Sequence, residues 1–419
     1  MRVLLPTDAF PPVCGGSGWS TYELAKGLRA RGHKCLIVLP HPGRRGGVRR
    51  RQFDGFRVLE FGFAAPDLPY VRNYFKNERL HARLADYLTE LLRADHFDIV
   101  HGQHVLTAAP AITAARRTGT PVVCTVRDYW PVCYWSDLIH TRDEDALCPE
   151  CSTANMTRCI RPRAGAAWPA ALPLIPYMRA NLARKRATLA RADAVIAVSS
   201  TMAADLRARA PELVDTRIEV IPNPVDIAGL RARAGAARPQ DGPYVLYLGK
   251  LAPNKGTRHL VRIAEQAGLD WPLVIAGDGP DREQLEADAA RSDRTIHFLG
   301  WISQEQSAAW LGHASMLVFP SRGPESLSRV LIEAAALGLP VAAMATGGTR
   351  DIIKHEVSGL LSTNAEELAS DVKRLRENPS LREELGSAAR RRARSRFDSP
   401  VVVARIEQLY MDLLAGKGR

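Results

Sequence analysis

Short runs of β-branched and other apolar residues alternate with stretches of helix length across all 419 residues, and this alternation limits the fold more than any other feature of the chain. A parallel strand buried on both faces reads as a continuous apolar run, and each return to the same edge needs a crossover of helix length. The first half offers such runs at 3–6, 35–40, 56–62, 99–103, 122–126, 194–199 and 218–222. The second half offers them at 244–250, 273–277, 296–300, 316–321, 341–345 and 359–362. Two doubly wound, Rossmann-like α/β units in tandem fit this pattern, and 419 residues exceed what one hydrophobic core normally spans. The turn-rich stretches Ile221-Pro222-Asn223-Pro224 and Pro239-Gln240-Asp241-Gly242-Pro243 bracket the joint. The expected domains are therefore 1–225 and 226–399. Ligands of such sheets lie beyond the carboxyl ends of the strands, so two units facing each other across a cleft suit a two-substrate enzyme.

Composition narrows the class. No stretch approaches the roughly 20 apolar residues that span a bilayer. The opening Met1-Arg2-Val3-Leu4-Leu5-Pro6 reads as a strand and not as a signal peptide, so a cytoplasmic location is expected. Seven cysteines are too few for a disulfide framework in a chain of this length. The net charge of +12 is concentrated in residues 1–225, with 31 Lys/Arg against 21 Asp/Glu, leaving 26 against 24 for the rest. The first half thus faces an anionic partner, be it nucleic acid, a membrane surface or a phosphorylated substrate, or simply gains solubility. No helix-turn-helix or aromatic-rich RNA-binding signal favours nucleic acid.

The sharpest motif is Pro320-Ser321-Arg322-Gly323-Pro324-Glu325-Ser326-Leu327-Ser328-Arg329-Val330-Leu331-Ile332-Glu333. It reads as a strand end and a Gly-Pro loop followed by a helix starting just after Glu325. Glu333 would then lie about 12 Å further along the helix, at 1.5 Å per residue, so the two carboxylates grip opposite ends of one ligand. The unpaired N–H groups of Ser326, Leu327 and Ser328 would aim the helix start at an anion. The competing reading makes Glu325 a cap and Glu333 a solvated face residue. A second element, Leu248-Gly249-Lys250-Leu251-Ala252-Pro253-Asn254-Lys255-Gly256, places two cations at a strand end and a glycine turn.

Together these motifs resemble the retaining glycosyltransferases of family 4, which have the GT-B fold. The resemblance implies that Glu325 binds hydroxyls of the donor sugar, that Glu333 accepts from the ribose hydroxyls, and that Lys250 and Lys255 hold the leaving diphosphate without a catalytic metal. Lys250 stands where the family usually has arginine and so lacks the bidentate fork. Lys255→Ala is expected to abolish turnover with little loss of fold. Pro11 to Ser20, with Gly15, Gly16 and Ser17, is similar to the family's glycine loop ahead of a helix beginning near Thr21, although a plain tight turn explains it equally. In Asp98-Ile99-Val100-His101-Gly102-Gln103-His104, both His101 and His104 are catalytic candidates, each also readable as a satisfied buried histidine. Gln103 stands where a second histidine is common and Arg127-Asp128 where His-Asp is usual, which makes these three acceptor-side candidates. Ala276-Gly277-Asp278-Gly279 and Phe298-Leu299-Gly300-Trp301 are similar to the loops near the nucleotide, with Asp278 as a donor-binding candidate. Ala345-Thr346-Gly347-Gly348 is similar to the family's glycine turn, and the last segment, 400–419, to the helix that crosses back to the first domain.

Two features fall outside these motifs. Cys133, Cys148, Cys151 and Cys159 have a spacing that would suit a structural zinc, with plain thiols as the equal alternative. Between Glu150 and Asp193 there are eight Arg/Lys and no acid, with Trp168, Leu172, Leu174, Ile175, Tyr177 and Met178 among them. That composition suits docking on an anionic membrane, or a helix from about Tyr177 with a solvated basic face. The expected activity is hexosyl transfer from a nucleotide-diphosphate sugar to a saccharide or lipid-linked hydroxyl, in surface polysaccharide or glycolipid synthesis. No cofactor is required, and the enzyme would be cytoplasmic or peripheral on the cytoplasmic membrane face. A sugar-nucleotide epimerase or phosphorylase and a non-catalytic scaffold are the alternatives.

Overall fold

The computed structural model describes residues 1–42, 46–66, 68, 71–139, 147–235 and 237–417. The chain divides into two compact units, one of Met1–Ser136, Pro173–Pro224 and Ser399–Arg419, the other of Asp137–Leu172 and Val225–Asp398. The first unit is therefore not continuous over 1–225. Asp137–Leu172 contributes no strand among its described residues, and its short helices, Thr153–Ala164 and Trp168–Ala171, pack on one another.

The first unit is built on an eight-stranded sheet: β1 (Arg2–Pro6), β2 (Lys34–Pro42), β3 (Val48–Phe53), β4 (Phe56–Phe63), β5 (Ile99–Gly102), β6 (Val122–Val126), β7 (Ala194–Ala197) and β8 (Ile218–Val220). Their spatial order is β3-β4-β2-β1-β5-β6-β7-β8. β1 lies inside, pairing Val3 with Cys35 on one side and with Ile99 on the other, and its apolar side chains are fully buried. All neighbours pair in parallel except β3, which runs antiparallel to β4. The purely parallel expectation fails at this edge because Asp54 and Gly55, at φ +46° and +75°, close a two-residue hairpin between Phe53 and Phe56. The helix Ser399–Lys417 belongs to this unit, burying Val402, Val403, Ile406, Leu409 and Tyr410 with Leu24, Leu28 and Ile37.

The second unit carries β9 (Val245–Leu248), β10 (Leu273–Ala276), β11 (Ile296–Gly300), β12 (Met316–Phe319), β13 (Val341–Met344) and β14 (Leu360–Ser362). All six are parallel, in the order β11-β10-β9-β12-β13-β14. β9 and β12 are adjacent at the centre of the sheet, with Leu246 opposite Leu317, and the chain crosses from one half of the sheet to the other between them. The loops leaving these two strands carry the Lys255 and Glu325 motifs, at the position where an open α/β sheet presents ligand-binding groups.

Candidate active site

In the second unit, the chain leaves β9 through Gly249 and Lys250 into a tight turn at Pro253–Lys255. Gly256 follows at φ +64°, where an added Cβ would lie 2.0 Å from the carbonyl oxygen of Pro320, so only glycine lets the Lys255 turn sit this close to the loop after β12. Backbone bonds hold the two loops together: the N–H groups of Arg322 and Gly323 donate to the Asn254 carbonyl at 3.1 and 2.7 Å. As a result Lys255 Nζ donates to Glu325 Oε1 at 2.5 Å, and Ser321 Oγ donates to the same oxygen. Glu325 has 9% of its side chain exposed and Lys255 30%. From the far side, the Gly348 N–H donates to the Glu325 carbonyl at 2.6 Å, and a Cβ on Gly347, at φ +49°, would lie 2.2 Å from that carbonyl. Glu325 is thus fixed through its backbone by the glycine turn after β13 and through its side chain by Lys255 and Ser321.

The helix after this loop begins at Arg329, later than the sequence implied, and ends at Leu337. Ser328 is its N-cap, with no side-chain capping bond and no acid in the first turn. Ser326 and Leu327 lie in the loop, so the first helical turn is the one that begins at Arg329. The 12 Å separation along one helix does not apply either, because Glu325 lies outside it. The delay follows from Ser326 and Ser328, which favour turns and caps over helix interior, Ser328 serving as the N-cap. Glu333 is nearly buried and accepts from Arg329 Nε at 2.7 Å.

Lys250 is exposed, and its carbonyl accepts from Tyr247 at 2.9 Å. Burial, with the carboxylates of Glu325 and Asp281 close by, pushes the Tyr247 phenol far up, so it remains a proton donor. Asp278 is exposed; it accepts from the Gly279 N–H at 2.7 Å and pairs with Arg282 at 3.4 Å, so its bonds are made within its own loop.

In the first unit, Gly15 caps a helix that starts at Gly16, five residues earlier than Thr21, so Gly16 and Ser17 lie in its first turn, which has no side-chain capping bond from Gly15. The two histidines part company. His101 is fully buried, its Nδ1 2.6 Å from Tyr410 Oη and its Nε2 2.7 Å from Thr125 Oγ1, and burial holds it neutral, well below the usual histidine range. Both ring nitrogens are occupied, so His101 is a structural residue and not a catalytic one. Gln103 and Arg127 belong to the same buried network: Arg127 donates to Asn223 Oδ1 and to the Gln103 carbonyl, both at 2.8 Å, and burial pushes it down to about 10.

His104 is the remaining candidate. It stands at the end of β5 with Nδ1 3.6 Å from Asp8 and 3.7 Å from Asp128. Asp8 accepts from the Leu106 N–H and Thr107 Oγ1, both at 2.9 Å, and so supplies the cap of the helix Val105–Thr118. Desolvation raises the Asp8 carboxyl, and His104 opposes that rise. Sequence reasoning missed Lys185, which it counted as surface charge. Burial pushes its ammonium down to about 8, against the pull of Asp128, Glu78 and Asp8, and Nζ lies 6.0 Å over the Tyr134 ring. Asp8, three residues before the glycine loop's Pro11, was also missed, although an acid just past a strand end is a legible signal.

No three His, Cys, Asp or Glu among the described residues, the four cysteines included, are grouped to hold a metal. Cys148 Sγ donates to the Glu150 carbonyl at 3.1 Å and Cys159 Sγ to that of Ile139 at 3.7 Å. The basic segment is divided: Ile175 and Met178 are buried in a helix Ile175–Leu189, Arg163 and Arg186 pair with Asp137 and Glu212, and Arg184 pairs with Glu78 but is exposed, as are Arg158, Arg161, Arg179 and Arg191. No helix among the described residues is long and apolar enough to cross a membrane.

A pair of parallel α/β units, one ending its central strands in a lysine–glutamate pair beside a helix start, defines a nucleotide-sugar glycosyltransferase of the GT-B type. Residues 14–228 match Glycosyltransferase Family 4 and residues 231–392 match Glycosyl transferases group 1, and the chain belongs to this family. It is similar to the glycogen synthase of Mycobacterium tuberculosis, with 27% identity over the whole chain and 96% of the relative, and to the D-inositol 3-phosphate glycosyltransferase of a Nocardioides species, with 26% identity over 91% and 81%. It is 33% identical to the 2-deoxystreptamine glucosyltransferase of Streptomyces kanamyceticus over 41% of this chain, spanning 45% of that relative. Among solved structures, sucrose-phosphate synthase from Thermosynechococcus elongatus superposes with a TM-score of 0.73 at 21% identity, covering 99% of both chains. Anabaena HepE in complex with UDP-glucose gives 0.67 at 19% identity, covering 98% of this chain and 100% of that one.

Proposed function

We propose that this glycosyltransferase moves a hexose from a nucleoside-diphosphate donor to a hydroxyl of a saccharide or lipid-linked acceptor, with retention at the anomeric carbon, in polysaccharide or glycolipid synthesis. The observation that carries the reading is the Lys255–Glu325 pair, locked by Gly256 and Gly347. In this reading, Glu325 accepts from donor-sugar hydroxyls. Lys255 and Lys250 take up the charge that develops as the diphosphate leaves, a role that needs no metal. Glu333 accepts from the ribose, and the first-turn N–H groups of the helix from Arg329 face the diphosphate. In the first unit, His104, flanked by Asp8 and Asp128, is the acceptor-side polar group, with the helix start at Gly15, Gly16 and Ser17.

Membership of the family supports retention, which is tested directly: proton NMR of the first-formed product gives the anomeric coupling, and an inverted product would refute it. Donor incubated without acceptor discriminates the epimerase alternative, which would isomerise the sugar. Turnover unchanged by EDTA is expected. We place the reaction in the cytoplasm, where thiols such as the half-buried Cys35 and the buried Cys124 stay reduced. The peripheral-membrane reading retains exposed Arg158, Arg161, Arg191 and Leu174, and cosedimentation with anionic liposomes at low salt tests it.

A further inference from the structure

Arg329 is placed against elementary electrostatics. It occupies the first position of its helix, where the macrodipole is positive and a cation is disfavoured, and no acid shares that turn. It precedes its partner Glu333 by four residues, the weaker of the two orientations for such a pair. Both side chains are only 11% exposed, so the pair is formed at a desolvation cost that a surface pair would not bear. Arginine at this position becomes favourable once an anion lies at the helix start. The proposed function puts two parts of one ligand at this helix: the ribose at Glu333 and the diphosphate at the first turn. Lys250, the cation before the turn, offers no planar fork, whereas a guanidinium binds phosphate through two parallel bonds.

We propose that Arg329 is the diphosphate-sensing residue of the donor site: in the empty enzyme it covers the ribose-binding carboxylate of Glu333, and it trades that bond for the diphosphate when a nucleoside diphosphate enters. The proposal rests on the nucleotide-donor reading of the site. It gives Glu333 two states, masked by Arg329 without diphosphate and open to the ribose hydroxyls with it. A nucleoside lacking phosphate must compete with Arg329 for Glu333 and therefore binds poorly, while the diphosphate draws Arg329 away and prepares the ribose contact. The arginine would thus supply the fork that Lys250 lacks and make ribose recognition conditional on the diphosphate.

The test is titration calorimetry of the full chain with UDP, GDP, ADP and dTDP, the matching nucleosides and inorganic pyrophosphate, for wild type, Arg329→Met, Arg329→Lys and Glu333→Gln. Arg329→Met is expected to weaken the preferred nucleoside diphosphate and pyrophosphate by at least about tenfold, the scale of one charge-assisted bond, while the nucleoside binds as well as before or better. Arg329→Lys keeps the charge without the fork and should fall between; Glu333→Gln should weaken the nucleoside diphosphate but bind pyrophosphate more tightly than wild type, because Arg329 no longer has to leave a carboxylate. A merely structural arginine would lower nucleoside and diphosphate affinity together, and that result, or a diphosphate affinity within twofold of wild type, overturns the proposal. If wild type binds none of the nucleotides, the donor reading itself fails, and the pyrophosphate arm alone decides whether Arg329 binds diphosphate.

Discussion

Replacing Lys255 by methionine should damage the protein twice, and the two effects can be separated. Glu325 is 91% covered, and the Lys255 ammonium at 2.5 Å is its cation, with Ser321 its second donor. Breaking a fully buried pair from one side costs about 3–5 kcal/mol. Lys255 is 30% exposed, so water reaches part of the site, and a loss of about 2–3 kcal/mol is the reasoned figure. A fold with a margin of about 5–15 kcal/mol survives this loss, with a melting point lower by roughly 5–10 °C. The expectation of little effect on the fold is therefore revised. Turnover should fall by about 10²–10³, as when one preorganised donor to a developing charge is removed. Adding Glu325→Gln to Lys255→Met removes the stranded charge, so calorimetry should show at least half of the lost stability regained while activity stays low. If the single variant melts with wild type, or the double variant is less stable than the single by the full cost of Glu325→Gln alone, the two residues do not form the coupled pair described above.

Gly256→Ala should cost more than 1 kcal/mol in the urea midpoint and most of the activity, because a Cβ 2.0 Å from the Pro320 carbonyl must push the Lys255 turn away from Glu325. Normal turnover in that variant would detach the turn from catalysis. Tyr410→Phe should cost about 1–3 kcal/mol by leaving His101 Nδ1 without its 2.6 Å partner, yet spare KM and kcat; a drop in kcat at unchanged stability would return His101 to the catalytic set. His101 is neutral in the fold, and the unfolded chain takes up a proton below about pH 6.5. Its stabilising contribution is therefore complete above that pH and declines by about 1.4 kcal/mol per unit as pH falls below it. The stability gap between wild type and His101→Asn should accordingly narrow from pH 7.5 to 5.5 in urea titrations. Asp8→Asn should leave donor binding intact and lower acceptor turnover, since Asp8 both caps the helix after His104 and lies 3.6 Å from its ring.

The fold was legible because parallel strands buried on both faces read as continuous apolar runs: every apolar run named from periodicity falls on a strand, with its ends moved by at most two residues. What escaped was β3, Val48–Phe53, whose Arg49, Arg50 and Arg51 carry no apolar alternation to betray it. An edge strand needs only one buried neighbour, and its signal lay in the turn, Asp54-Gly55, the dipeptide that a two-residue hairpin requires. The late helix start at Arg329 was equally local: two serines oppose helix, while the motif's spacing alone seemed to extend it back to Glu325.

The motif residues of the second unit could be placed because they are close in sequence to the strand ends that position them. The first unit could not be read in that way, since burial, which decides what a polar residue does there, comes from elements far along the chain. His101 and His104 are three residues apart and look alike in sequence; Tyr410, more than three hundred residues away, satisfies one, while Asp8 and Asp128 leave the other within the reach of two carboxylates. Part of the positive charge is used in the same manner. Arg127 is spent on the Gln103 carbonyl and Asn223, Arg184 and Arg186 on Glu78 and Glu212, and Lys185 turns toward Tyr134 and the carboxylates around His104. Part of the basic character that pointed toward an external anion is thus internal structure, and Lys185, among Asp128, Glu78 and Asp8, owes its lowered ammonium to the same burial that hid it from the sequence.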